Sequence, residues 1–355
     1  MNSSPKVVKI DFTGKHLFIG IDVHKKKWVI TVRTLALELR TLSIDPFPEV
    51  LEKFLERDYP GGIYHMVYEA GCFGYASYDY FQEKGIDIIV TPPNRMYREN
   101  RRVKTDKRDS RDLALFLSKG LLQAVVVPCQ QVRELRQILR IRNKQRDRKK
   151  QIQQEILGML RFLHIPLQTA GWGKSRLEEL KQIRFSEEGL NFSFSLLLNE
   201  YEFYVKMLSE SDRHIRQYSR QITEHWPTIE RITQIKGIGS LTAFELTLHL
   251  FDRKDRFVHS GKLVHYLGLT PSEHSSGETQ RKGGIGGGNP QRRALIIQIA
   301  WQAVRWDPIL LDKFDRVYRH SGIKQKAIVA VARKLMVRIY TIIQKNEKYQ
   351  IGVAA

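Results

Sequence analysis

Residues 16–34 read HLFIGIDVHKKKWVITVRT. Ile19, Ile21 and Val23 alternate with small or polar neighbours. Trp28, Ile30 and Val32 repeat the alternation after the link His24-Lys25-Lys26-Lys27. Period-two apolar patterning predicts half-buried strands, here two of them. The following ALELRTLSI supplies a third and completes an antiparallel meander. Asp22 falls at the end of the first strand. An acid among apolar strand residues belongs there only if it faces a site or a loop.

Working outward, Phe47, Val50, Leu51, Phe54 and Leu55 share one face of a predicted helix over 47–58. The strand IYHMVYEA (63–70) ends near Glu69. A helix through Tyr78 and Phe81 and the strand in GIDIIVTPP (85–93) come next. The order is βββαβαβ, then a helix carrying Lys104-Thr105-Asp106-Lys107-Arg108-Asp109-Ser110-Arg111-Asp112. Helices alternating with the later strands make those strands parallel, with helices covering the sheet. If the first and fourth strands are neighbours, Asp22 and Glu69 reach the same sheet edge. Asp106 and Asp109 arrive there from the crossing helix. If Asp109 opens that helix, Asp106 sits in the turn before it, and Asp109 and Asp112 lie one turn apart on one face. Crowded carboxylates repel unless a cation sits between them. An oxygen-rich set suits Mg²⁺ or Mn²⁺, and such ions serve phosphoryl transfer.

The chain has 355 residues, 42% hydrophobic and 27% charged, with 59 Lys+Arg against 38 Asp+Glu, a net charge of +21. That excess points to a polyanionic partner, nucleic acid first. Eight of the basic residues lie between Arg95 and Arg111, including Arg101, Arg102, Lys104, Lys107 and Arg108. No run of about 20 apolar residues occurs, which argues against a membrane span. MNSSPKVVKIDF lacks an apolar signal core, and Cys72 and Cys129 form neither a metal spacing nor a disulfide framework. These features predict a cytoplasmic chain. The absence of GxxxxGK[ST] argues against an NTPase site.

A long helix is predicted over 130–163. It has an apolar stripe and nine Lys or Arg in 131–150, Arg140 and Lys144 among them. Helix packing explains the stripe; the basic bias needs a second cause, such as phosphates. Residues 169–190 read as irregular. A second long helix, about 196–224, is expected to return antiparallel as a coiled-coil arm. In ITQIKGIGSLTAFELTLHL (232–250), Gly237 and Gly239 sit between two helical patterns. Such a turn offers backbone N–H groups to a phosphate, although tight helix packing also uses glycine. His274-Ser275-Ser276-Gly277 opens a glycine-rich basic loop with Arg281 and Lys282. A helix then restarts near Pro290 with Arg292 and Arg293. A serine exposed on such a loop could attack a phosphodiester. Residues 306–346 read as helical and basic.

Taken together, the chain resembles the DEDD insertion-sequence transposases, relatives of the Piv-type DNA invertases. The likeness rests on Gly20-Ile21-Asp22, Tyr68-Glu69-Ala70-Gly71, Lys104-Thr105-Asp106 through Asp109, Gly237-Ile238-Gly239, Gly268-Leu269-Thr270-Pro271 and Ser276-Gly277. It implies an α/β plus α fold with three parts. Residues 1–128 would be an RNase H-like (RuvC-like) domain, 129–228 a long-helix arm, and 229–355 a mainly helical serine domain. It implies a DNA recombinase that holds divalent metal on Asp22, Glu69, Asp106 and Asp109. Ser276, or its neighbour Ser275, would form a covalent link to DNA. It also implies donor and target DNA and a structured guide RNA as partners. The active assembly would be a dimer, or a tetramer of two dimers, in a prokaryotic cytoplasm at the nucleoid. A junction nuclease using the acids alone and a non-catalytic nucleic-acid-binding protein are the competing readings. Three positions depart from the family pattern. Gly71-Cys72 stands for Thr-Gly, Ser110 for alanine, and glycines near Gly287 for Lys-Arg.

Overall fold

The computed structural model describes residues 11–71, 73–93, 106–221, 225–276 and 279–353, with 273–276 and 279–282 described by backbone alone. The chain divides into two compact units, Met1–Val127 and Pro128–Ala355.

In the first unit, β1 (His16–Val23), β2 (Trp28–Arg33) and β3 (Glu38–Ile44) form the expected antiparallel meander. Then come α1 (Pro48–Asp58), β4 (Ile63–Glu69), α2 (Ala76–Glu83), β5 (Asp87–Thr91) and α3 (Asp106–Ser118). The sheet order is β3-β2-β1-β4-β5, with β4 parallel to both β1 and β5. The predicted element order and the β1–β4 adjacency are therefore both present.

Strand alternation sorts the two faces of this sheet. Leu17, Ile19, Ile21, Ile30, Met66 and Tyr68 share a buried core with Leu51, Phe54 and Leu55 of α1 and Phe81 of α2. Gly20, Thr31 and Val67 are register partners and so share the opposite face, which α3 covers. Asp22 is two residues beyond Gly20, and Glu69 two beyond Val67. Both acids thus lie on the α3 face, at the carboxyl ends of adjacent parallel strands.

The second unit begins with α4 (Gln130–Phe162), α5 (Lys174–Gln182) and α6 (Glu188–Gln221). The expected return is present. Arg142 Nε binds Asp212 at 2.9 Å and Ser211 Oγ binds Gln145 at 2.9 Å, while Ile156 and Leu160 pack with Phe194 and Tyr201. Rising numbers on α4 thus meet falling numbers on α6, which makes the pair antiparallel. The remainder comprises α7 (Trp226–Thr233), α8 (Ser240–Leu250), α9 (Ser260–Tyr266), β6 (Pro271–Ser276), β7 (Thr279–Ile285), α10 (Pro290–Ala303), α11 (Pro308–Ser321) and α12 (Lys324–Lys345). Val331, Leu335, Ile339 and Ile343 run down one face of α12 into the core. The first turns of α4 join that core through Val132, Leu135 and Leu139.

Three expectations are corrected here. The span 169–190 contains α5, whose Leu180 is fully buried. The serine segment is not a loop but an antiparallel hairpin, with Ser276 opposite Thr279 at its tip. The basic last helix breaks at Gly322, and two of its cations are committed internally. Buried Arg338 pairs with Asp307, and Arg333 donates to the Leu269 carbonyl.

Candidate active site

Gly20 sets how closely α3 approaches the sheet. A methyl carbon on it would lie 2.2 Å from the Ser110 carbonyl oxygen and 2.5 Å from the Ala114 nitrogen. Only glycine lets the helix sit this low. The contact is locked by a fully buried hydroxyl pair, Ser110 Oγ with Thr31 Oγ1 at 2.9 Å. Ser110 also donates to the Lys107 carbonyl at 3.1 Å. This accounts for one departure from the family pattern, because a serine at this position has a partner waiting on β2. The helix opens at Asp106, one turn earlier than a start at Asp109, so Asp106 and Asp109 both occupy its first turn. Carboxylates are favoured at that end of a helix.

Asp22 and Asp106 come together around a residue that sequence reasoning passed over. His24 Nε2 lies 3.0 Å from Asp22 Oδ2 and 3.7 Å from Asp106 Oδ1. One ligand atom from each of the three fits within a 4.8 Å span. Lys27 Nζ stands 4.0 Å from Asp106 Oδ2. His24 and Lys27 belong to the link between β1 and β2, which reads in the sequence only as a polar turn. Glu69 and Asp109 are not members of that tight group. Asp109 is still close enough for its charge to act on Asp22. Glu69 follows Tyr68, the register partner of Ile21, and so lies beside Asp22 on the next strand.

The Asp22 carboxyl is pushed above the ordinary carboxylate range. Burial is the main cause; His24 opposes it, and the charges of Asp106 and Asp109 add to it. Acids held together against their own repulsion are a pattern that a cation relieves. Ligands sharing one Mg²⁺-sized ion at about 2.0–2.1 Å are at most roughly 4.2 Å apart, so the observed group needs little contraction. Two carboxylates and an imidazole are a chemically sound donor set for a divalent ion.

Residues 19–165 match the model of the DEDD transposase domain of IS110-type elements. Residues 229–315 match the model described as transposase IS116/IS110/IS902 family. The first match spans all four acids and the second spans Ser276. The chain is 26% identical over 339 residues to the transposase for insertion sequence element IS1533 of Leptospira borgpetersenii, covering 92% of this chain and 95% of that one. It is 27% identical over 243 residues to putative transposase y4qE of Sinorhizobium fredii, covering 67% and 58%. It is 26% identical over 284 residues to the transposase for insertion sequence element IS1111A of Coxiella burnetii, covering 78% and 76%. The chain belongs to the IS116/IS110/IS902 family of transposases.

A transposase acts on DNA, cutting and rejoining it, and its DEDD-type domain together with the acidic group implies a divalent metal. The basic residues singled out in the sequence are distributed as follows. In this transposase Lys107 and Arg108 are exposed on the first turn of α3. Arg101, Arg102 and Lys104 lie outside the described residues. Arg140, Lys144 and Arg292 line one cavity of the second unit. Arg293, in the first turn of α10, donates to the Gly287 carbonyl of the preceding loop at 2.6 Å. The backbones of Arg281 and Lys282 lie in β7, and their side chains are outside the described set. Gly237, at φ +95°, abuts Gln302 of α10 so closely that a methyl carbon would lie 2.7 Å from its Cβ. Helix packing thus explains that glycine without a phosphate. Gly239 precedes α8 and is unhindered. Among the described residues, no helix is long and apolar enough to cross a membrane.

Proposed function

We propose that this transposase cuts and rejoins DNA through a phosphoserine link at Ser276, with Asp22, Glu69, Asp106 and Asp109 holding Mg²⁺ or Mn²⁺. The observation that carries the reading is the meeting of Asp22, His24 and Asp106 within 4.8 Å at the end of β1, inside the segment matching the DEDD domain. A divalent ion bound there would neutralise phosphate charge and ease oxygen deprotonation. The Ser276 hydroxyl loses its proton, its oxygen attacks phosphorus, and the sugar oxygen of one fragment leaves. Rejoining reverses this, with a sugar hydroxyl displacing serine. Serine needs such activation because it is a weak nucleophile at its free pKa. Ser275, which precedes it on β6, is the alternative nucleophile.

The meander followed by the parallel β4 and β5 supports an RNase H-like, RuvC-like reading of residues 1–128. We assign 129–228 to an arm and 229–355 to the serine domain. The net charge of +21 supports two polyanionic partners, the DNA and a guide RNA from the same element, bound by a dimer or a pair of dimers.

The test uses the full chain, supercoiled DNA carrying the element ends, and Mg²⁺, analysed on a denaturing gel. A protein–DNA adduct in the wild type, lost in Ser276→Ala and in Asp22→Ala, is the expected result. Cleavage that survives Ser276→Ala without an adduct would instead favour a metal nuclease working by the acids alone.

A further inference from the structure

We propose that the cavity walled by α4, α8 and the start of α10 is a phosphodiester site, in which Arg140, Lys144 and Arg292 share a single backbone phosphate. Its volume is about 220 Å³. That is below the roughly 300–1,000 Å³ typical of small-molecule pockets and suits a phosphate group. Arg136, Arg140 and Lys144 recur every four residues and so lie on one face of α4. Facing them are Glu245 and His249 of α8, and Asn289, Gln291 and Arg292 from the start of α10.

The charges in the walls are unequally paired. Arg136 is committed to the Leu248 carbonyl at 2.6 and 2.8 Å and to Asp252 at 3.2 Å. Glu245 accepts from Asn143, and Asp147 pairs with Arg146. Among the described residues, Arg140, Lys144 and Arg292 form no ion pair with a carboxylate. Arg292 instead donates to the Tyr266 hydroxyl at 2.7 Å and to His249 Nδ1 at 3.3 Å. A guanidinium cannot accept, so the His249 proton sits on Nε2, leaving the ring a neutral donor. Burial, then the charges of Arg292, Arg136, Arg256 and Arg140, push its pKa down to about 3. Burial is the larger cause, and the four guanidinium charges around the ring add a positive field that an anion complements.

The wall is also rigid and well placed. Residues 286–289 alone separate β7, on the hairpin of Ser276, from α10. Gly288, at φ +60°, packs so tightly that a methyl carbon would lie 2.6 Å from the Tyr266 carbonyl oxygen. Asn289 Oδ1 caps α10 by accepting from the Arg292 nitrogen at 3.1 Å. Among the glycines that stand for Lys-Arg of the family pattern, Gly288 therefore pins this loop. Three of the nine Lys or Arg in 131–150, Arg136, Arg140 and Lys144, line the cavity.

The inference rests on the nucleic-acid reading above but not on its serine chemistry. The experiment measures binding of a 30-base-pair duplex, and separately a structured RNA, across a salt series. Arg140→Gln, Lys144→Gln, Arg292→Gln and the triple variant are compared with the wild type. One shared phosphate predicts that each single change weakens binding about 3- to 10-fold. The triple variant would then lower the salt slope by about 0.9, the value for one phosphate contact. A slope loss near three times that value means separate phosphates and overturns the shared site. Unchanged slope and affinity on both probes overturns it entirely. Loss on one probe alone identifies whose phosphate is held. Arg292→Lys, which keeps the charge, should retain the slope and controls for folding. An adduct formed through Ser276 with an unchanged slope would sink the cavity and leave the chemistry standing; a lost slope with no wild-type adduct would do the reverse.

Discussion

Replacing Gly20 with alanine puts a methyl carbon 2.2 Å from the Ser110 oxygen, 2.5 Å from the Ala114 nitrogen and 2.9 Å from Leu113 Cβ. Two of those atoms are backbone, so no side-chain rotation relieves the clash. The helix α3 has to rise by roughly 1 Å to regain ordinary van der Waals separation. That strains the Ser110–Thr31 pair and loosens Leu113 and Ala114, both buried. Overpacking of this kind costs about 1–3 kcal/mol. For a unit of this size that is a fall in Tm of roughly 3–10 °C. The greater effect is on the site, because α3 carries Asp106 and Asp109 while β1 carries Asp22. A displacement near 1 Å at reacting groups costs on the order of 10²-fold in rate. The assay is single-turnover strand cleavage in Mg²⁺ at a temperature where circular dichroism shows the variant folded. Gly158→Ala is the control. Gly158 lies inside α4 with nothing within 4 Å of a new methyl group. Alanine there should stabilise by up to about 1 kcal/mol and leave cleavage unchanged. Gly20→Ala that melts with the wild type and cleaves within about threefold of it would refute the packing argument.

Three further outcomes follow from the charges. Because its folded pKa is raised, Asp22 supports the metal-free fold only while protonated, and that support is lost as pH rises through the folded value. Asp22→Asn should therefore raise the Tm in EDTA at pH 7.5 by roughly 1–3 °C, discounted for partial exposure, while abolishing cleavage; a lower Tm would contradict this. His24→Ala removes the one nitrogen from the acidic group, and imidazole favours softer ions than magnesium. The ratio of Mn²⁺- to Mg²⁺-supported cleavage should fall several-fold in that variant, and an unchanged ratio removes His24 from the site. His249, with its pKa lowered from 6.5 to about 3, binds fewer protons folded than unfolded. Wild-type stability should fall by up to about 1.4 kcal/mol per pH unit from this group as pH drops below 6.5. Urea titrations of His249→Gln should show a shallower decline, and parallel curves would count against the neutral ring.

What could be read in advance was whatever depends on local periodicity. The alternation in residues 16–34 and the helix-separated strands made the sheet and the β1–β4 neighbourhood legible, and with them the convergence of Asp22 and Glu69. The start of α3 was placed one turn late, because Thr105, Asp106 and Asp109 are all residue types that can begin a helix. His24 was missed because a Lys-rich turn has no pattern to break; its importance depends on β2 folding back and α3 descending onto Gly20. The hairpin β6–β7 was hidden by its polar and glycine-rich composition, and α5 by its brevity. The spacing of Arg136, Arg140 and Lys144 was visible in the sequence. Their meeting with His249 and Arg292, more than a hundred residues away, was not.

On the proposed reading, acids from β1, β4 and α3 gather around a divalent ion. The most direct measurement is Mn²⁺ binding to the full-length protein, followed by calorimetry or by loss of the free-ion paramagnetic signal. Saturable binding that is lost or weakened at least tenfold in Asp22→Ala, Glu69→Ala and Asp106→Ala is the predicted result. Equal binding by the wild type and all three variants, with the fold intact, would contradict it.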